Sequence, residues 1–336
     1  MKRLIAFALA IVFLFSLASC NTENIDENNT SAEPPDTSYQ VITKINHYVV
    51  EPDDKLHMDD TDTALYQALM DAMLSQKDSI TLSENTEKNV YLLDLLMQSP
   101  YYFFVKSHVI NDGTVSFTYA YSKDEQNDML TFIDNEFLDI VNTHATKDDN
   151  LLDRILNVYG AVARKMVYDH GRTKDMDLDS PLFHYPADEI YKALKTEKSV
   201  CYGFAYTLRF ALLQLGVDCF CVYGPCRDQG ESHMWNIFKY NDKFYTCDPA
   251  WDRSEGDYAQ LTHFGKTDAE READSLVRSG FSSTFFTEYG DIACTDKTFK
   301  IFRNIDRYSF VSTHNYFLED FDHNEYIFNT QTMELE

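Results

Sequence analysis

The first hydrophobic feature is an almost unbroken apolar run from Leu4 to Phe15. It is preceded by Lys2 and Arg3 and followed by the small residues Ser16, Ala18 and Ser19. The run is too short to span a bilayer as a permanent helix, so 1–19 reads as an export signal. Residues 20–42 are polar, acidic and broken by Pro34-Pro35. They hold too little apolar surface to fold and read as a tether. Helical spacing then governs Thr63–Leu74 and Thr86–Gln98, with Tyr91, Leu92, Leu95 and Leu96 on one side and Pro100 as a stop. Tyr101–Ile110 and Thr114–Tyr121 read as strands joined through the turn Asn111-Asp112-Gly113, and Asp124–Thr143 as a helix. This predicts a small α+β region over 43–145 with no catalytic constellation; a substrate-docking platform is its functional alternative. No repeat of solenoid period is present.

The pattern changes from about 146. Asp148-Asp149-Asn150 can cap a helix running through Arg164 towards Tyr168, and a short helix starts near Pro186. Between them, 171–186 is polar, with Asp175, Asp177 and Asp179 at a spacing that hints at calcium. Ser180 stands where a calcium loop needs glycine and Pro186 where it needs an acid, so the loop reads as solvated. Tyr202–Leu215 is apolar nearly all round and stops at Gly216, which predicts a central buried helix with Cys201 at its start. Val217–Tyr223, Met234–Tyr240 and Phe244–Asp248 follow as three strands with short connections, hence an antiparallel meander. The expected fold is α+β, a helix packed on an antiparallel sheet, over 146–300. Within it Leu261–Gly265 reads as a further strand and Thr267–Val277 as a helix. Phe299–Arg303, Tyr308–Val311 and Tyr326–Asn329 read as closing β-structure, with a C-terminal β extension over 301–336.

Composition narrows the function. Hydrophobic residues make up 44% and aromatic residues 14% of the 336, enough for a real core. The formal net charge is −26, a poor match for nucleic acid or for anionic headgroups. Seven cysteines are too sparse for a disulfide scaffold. Cys219 and Cys221 alternate on one strand; with Cys226, Cys247 and Cys294 they read as mostly buried thiols, one disulfide being the alternative. No metal-ligand spacing is complete and no cofactor is required.

Cys201 at a helix N-terminus meets the dipole and free N–H groups, which favour a thiolate and can hold an oxyanion. His233 opens the second strand, and Asp248 ends the third near it. Cysteine, histidine and aspartate in this chain order can perform nucleophilic acyl transfer.

Three motifs carry a resemblance. Cys201-Tyr202-Gly203-Phe204-Ala205, His233-Met234-Trp235-Asn236 and Phe244-Tyr245-Thr246-Cys247-Asp248-Pro249-Ala250-Trp251-Asp252 resemble, in order and spacing, those of the transglutaminase-like superfamily. The resemblance implies a papain-like fold, Cys201 as nucleophile, His233 as general base and acid, and Asp248 as the residue that orients it. Ser199 replaces a glycine common in bacterial members, and Ala250 replaces the usual threonine. The family's second oxyanion donor has no clear match; Tyr191 is the nearest aromatic residue. Trp235, Asn236 and Trp251 are further cleft candidates, with a core-filling role favoured for Trp251. His263, Phe281 and Phe285 could border the cleft. Leu17-Ala18-Ser19-Cys20 resembles the lipobox of bacterial lipoproteins, which implies cleavage before Cys20, its lipidation, and a membrane anchor made of lipid. Together these lead to an extracytoplasmic thiol enzyme acting on peptide or glutamine amides of envelope or external proteins, hydrolysis being favoured over cross-linking. A non-catalytic peptide-binding module is the alternative. A solute-binding lipoprotein would need a two-lobed α/β pattern that the sequence lacks.

Overall fold

The computed structural model describes residues 40–50, 58–171, 187–227, 231–253, 256, 258–281 and 292–336. The export signal, Cys20, most of the tether, the acidic loop with Asp175, Asp177 and Asp179, and Phe285 lie outside them. Thr37–Glu336 forms one compact unit.

Helix starts follow local chemistry. α1 (Asp60–Leu74), α3 (Lys123–Asn142) and α4 (Leu151–Lys165) each begin with a capping box, from Asp59, Ser122 and Asn150 respectively. Asn85 caps α2 (Thr86–Met97). β1 (Ser79–Thr81), β2 (Val105–Asn111) and β3 (Thr114–Tyr119) form a three-stranded antiparallel sheet in the order β1-β3-β2. β2 starts later than its apolar run. Tyr102–Phe104 is a 3₁₀ turn instead, because Tyr101 and Phe104, three apart, are both fully buried.

After α4 come β4 (Val167–Tyr168), α5 (Ala187–Thr196) and β5 (Lys198–Ser199), with β4 and β5 paired in parallel. α6 (Cys201–Gln214) follows directly and is buried from Cys201 to Leu213. It packs on a four-stranded sheet of order β8-β7-β6-β9: β6 (Cys219–Cys226), β7 (Glu231–Tyr240), β8 (Lys243–Cys247) and β9 (Gly280–Phe281). The expected meander is there, and β9 extends it antiparallel to β6. Met234 and Phe238 of β7 join the main core with α6, while Trp235 and Ile237 join a smaller core with Phe220, Val222 and Leu276. This is the period-two alternation of a strand buried on both faces.

Three expected elements differ. Leu261–Gly265 is a turn, not a strand: the Phe264 N–H donates to Leu261, Gly265 has φ +67°, and only Lys266 pairs, with Thr246. α7 (Asp268–Ala273) ends early because Ser275 takes φ +68° and Leu276 turns back to pair with Cys226. Thr298–Phe302 is a 3₁₀ helix that buries Phe299 and Phe302, three apart. β10 (Ile305–Ser312), β11 (Asn315–Asp320), β12 (Glu325–Asn329) and β13 (Glu334–Leu335) close the chain as an antiparallel sheet in sequence order. Asp153 of α4 ties this sheet in, accepting from His314 (2.5 Å) and Thr330 (2.6 Å).

Candidate active site

Cys201 is the first residue of α6. Val200 at the N-cap supplies no side-chain acceptor to the first turn. Two residues on, Gly203 lets α5 and β5 close against the helix. A Cβ there would lie 2.1 Å from Ser199 Oγ and 2.9 Å from Ala193 Cβ. The serine that departs from the family pattern therefore fills the space that Gly203 leaves open.

His233 stands near the start of β7, and Gly224 of β6 is its cross-strand partner. On the other side Asn236 pairs with Cys247, which carries Asp248 to the place opposite Trp235. His233 and Asp248 are then diagonal neighbours on one sheet face. His233 Nε2 donates to Asp248 Oδ2 at 2.7 Å, and the imidazole also lies within hydrogen-bond reach of the Cys201 thiol. The structure thus brings together the three residues expected to form the site. All are buried: Cys201 is 4% exposed, His233 6% and Asp248 0%.

Electrostatics follow from this burial. Desolvation alone would make His233 a weaker base, but the negative charge of Asp248, then that of Cys201, reverses this, and the imidazolium is held well above its ordinary range. Desolvation would raise Asp248; the cations of His233 and Arg271 overcome it, and the carboxyl is held well below its usual range. Burial pushes the thiols of Cys247 and Cys294 up, which keeps them protonated and inert. Cys219, Cys221, Cys226, Cys247 and Cys294 are buried thiols, as expected for these five, and Cys201 is buried too. Among the described residues, no group of three or more His, Cys, Asp or Glu is arranged to hold a metal.

The remaining cleft candidates divide. Trp235 is fully buried in the smaller core. Trp251 packs against the smaller core and also borders the imidazole. It is half-buried and stacks on the His233 ring at 4.9 Å, because the turn from Asp248 to Asp252 folds it back over the imidazole. Asn236 does not face a substrate: its Nδ2 donates to Ala205 O of α6 (2.9 Å) and to Phe220 O of β6 (3.3 Å), so it braces helix to sheet. Tyr191 stacks on Phe103 at 4.7 Å and meets Phe132 edge-on, contacts that turn it towards the N-terminal region.

Sequence reasoning missed two features. Arg271 of α7 is 1% exposed and donates from Nη2 to Asp248 Oδ2 at 2.6 Å. Its guanidinium lies 5.4 Å from the Trp235 ring centroid and 5.1 Å from that of Trp251. Only the Thr267 capping box is readable around it; the arginine sits in an ordinary-looking acidic helix. The second feature is another Asp–His pair. Asp252 accepts from His263 Nδ1 (2.9 Å), from the His263 N–H and from the Tyr159 hydroxyl (2.7 Å), and the His263 ring meets Trp251 edge-on at 5.1 Å. Asp252 belonged to the quoted motif, which was the signal available.

Residues 139–249 match the transglutaminase-like superfamily. The matched segment contains Cys201, His233 and Asp248 and ends before Trp251, Asp252, His263 and Arg271. No curated protein matches the chain. Among solved structures, the chain is similar to a TGase at 17% identity and TM-score 0.29, over 50% of this chain and 48% of that one. It is also similar to a candidate cysteine protease from Cytophaga hutchinsonii at 13% identity and TM-score 0.26, over 37% of this chain and 42% of that one. The chain thus spans less than half the length of either structure. The sequence match marks 139–249 as a transglutaminase-like superfamily segment, set in a mixed helix and sheet fold.

Proposed function

We propose that the protein is a thiol acyl-transfer enzyme that cleaves an amide, with Cys201 as nucleophile, His233 as general base and acid, and Asp248 as its partner. The observation that carries this reading is the unbroken line from the Cys201 thiol through His233 to a fully buried, ionised Asp248. The thiolate attacks the carbonyl of a peptide or glutamine amide. The Cys201 backbone N–H at the start of α6 holds the oxyanion, and the His233 imidazolium gives its proton to the departing amine or ammonia. Neutral His233 then takes a proton from the acceptor as it attacks the thioester, and Cys201 leaves as thiolate. Water as acceptor gives hydrolysis, the favoured outcome; a primary amine gives cross-linking. Trp251 covers one face of the imidazole and shields it from water.

The lipobox-like stretch supports placing the enzyme outside the cytoplasm, anchored through acyl chains on Cys20, with envelope or external proteins as substrates. Metabolic labelling with a palmitate analogue should mark the wild-type chain and not Cys20→Ala. The chemistry is tested with a small activated ester as acyl donor. Intact and peptide mass spectrometry should show acyl mass on Cys201 alone, absent in Cys201→Ala and slowly lost in water. A second reading, a peptide-binding module without turnover, is favoured by the near-complete burial of Cys201. It predicts no acyl mass at all.

A further inference from the structure

Asp248 Oδ2 accepts two hydrogen bonds of nearly equal length, 2.7 Å from His233 and 2.6 Å from Arg271. One carboxylate oxygen therefore serves a titrating imidazole and a permanent cation. Arg271 is an expensive residue to place there. Its guanidinium is sealed from solvent, and among the described residues Nε and Nη1 have no hydrogen-bond partner, although Nη1 lies 3.8 Å from Asp274 Oδ2. A well-packed apolar side chain would fill the space between Trp235 and Trp251 without leaving buried donors unmet. The nearest counterion of Arg271 is the buried Asp248 carboxylate, since Asp274 is already paired with Lys266 at 2.5 Å.

We propose that Arg271 is a positioning residue of this site, which fixes Asp248 Oδ2 and offsets part of the carboxylate's pull on His233. The inference rests on the thiol-enzyme reading and concerns a residue beyond the family-matched segment. The groups that face His233 are Asp248 just after β8, Cys201 from α6, and Trp235 and Trp251, with Arg271 from α7 behind Asp248. His263 and Asp252 lie on the far side of Trp251. Arg271 faces Asp248 and Asp274, and Asp274 is already engaged by Lys266. Asp248 alone would bind the imidazolium so firmly that His233 would release its proton only reluctantly to a leaving amine. With Arg271 on the same oxygen, the carboxylate stays ionised and oriented while the imidazolium becomes a better acid.

The sign is definite. Removing the guanidinium leaves Asp248 unshared, so His233 keeps its proton to higher pH. The test follows the His233 ring nitrogens by NMR, in full-length protein labelled at histidine, for wild type, Arg271→Gln and Arg271→Lys. Arg271→Gln should move the His233 midpoint upward by about one pH unit, the usual scale for losing one nearby charge. Arg271→Lys keeps the cation and should stay near the wild-type midpoint. An unmoved midpoint in Arg271→Gln, with only a lower melting temperature, would overturn the inference and leave a structural arginine. Should Arg271→Gln not fold, a folded Arg271→Lys with its midpoint displaced would overturn it equally. Acylation of wild-type Cys201 is read separately: its absence sinks the enzyme reading, whereas its presence with an unmoved midpoint sinks only the role of Arg271.

Discussion

The protein contains two Asp–His pairs on opposite sides of one tryptophan, and they are built differently. His233 and Asp248 are both buried; the imidazole looks onto a thiol, and the carboxylate is backed by the Arg271 guanidinium. His263 is more open, and its carboxylate Asp252 is backed by the neutral Tyr159 hydroxyl. Burial and the Asp252 charge hold the Tyr159 phenol well above its usual range, so it remains a donor at any working pH. The pairing of imidazole with carboxylate is therefore not what makes a reactive site. On the proposed reading, what stands on either side decides it: a thiol on one side and a cation behind the carboxylate at Asp248, a phenol and a backbone N–H at Asp252. The second pair ties the 248–252 turn to the 261–264 turn, which holds Trp251 between the two imidazoles.

Substitution should separate the pairs sharply. His233→Ala should slow acylation of Cys201 by ~10²–10⁴-fold, the range for loss of a positioned general base. His263→Ala should leave the same rate within about threefold, equivalent to ~0.6 kcal/mol of barrier. A comparable loss in both would break the distinction. Next in size, Asp248→Asn should cost at least ~10²-fold in acylation, since a neutral amide cannot stabilise the imidazolium. Asp252→Asn should act mainly on folding, lowering stability by ~1–3 kcal/mol in denaturant titration with acylation little changed.

The pH dependence of stability sharpens the comparison further. Asp248 has a lowered folded-state pKa, so its contribution is present above the unfolded carboxyl value near ~4 and is lost as pH falls below it. His233 has a raised folded-state pKa. Its contribution is complete below the unfolded imidazole value near ~6.5 and fades as pH rises through the folded one. Wild type should therefore gain stability over Asp248→Asn from acid to about pH 6, and the gain should shrink on the alkaline side. Denaturant midpoints at stepped pH measure it. The smallest effect belongs to Tyr159→Phe, which should cost ~1 kcal/mol for one hydrogen bond and leave Cys201 chemistry untouched.

What could be read from sequence was local. Cys201, His233 and Asp248 each sit at the boundary of an element whose pattern is plain: an all-apolar helix and two strands with short connections. The register that makes His233 and Asp248 diagonal neighbours follows from those connections. The contact of Trp251 with His233 and the place of Arg271 are not legible in this way. Trp251 covers His233 only because the 248–252 turn reverses the chain, through N–H groups of Trp251 and Asp252 donating to Asp248 O. Arg271 arrives from a six-residue helix whose charged sequence looks solvent-facing, and its burial is imposed by the packing of both tryptophans. Tyr101–Phe104 and Phe299–Phe302 look like strands in sequence because aromatic runs favour them. The i, i+3 burial of a 3₁₀ turn and the alternation of a strand are hard to tell apart over four residues.

The most direct measurement is site-resolved alkylation of Cys201 at pH 6 by a small neutral reagent, in wild type, His233→Ala and His263→Ala. An ordinary thiol, with pKa ~8.5, is almost entirely protonated at that pH. A paired thiolate and imidazolium should give fast labelling in wild type and His263→Ala, and slow labelling in His233→Ala. Labelling that is slow in wild type and indifferent to His233 would contradict the assignment of Cys201 as the working nucleophile.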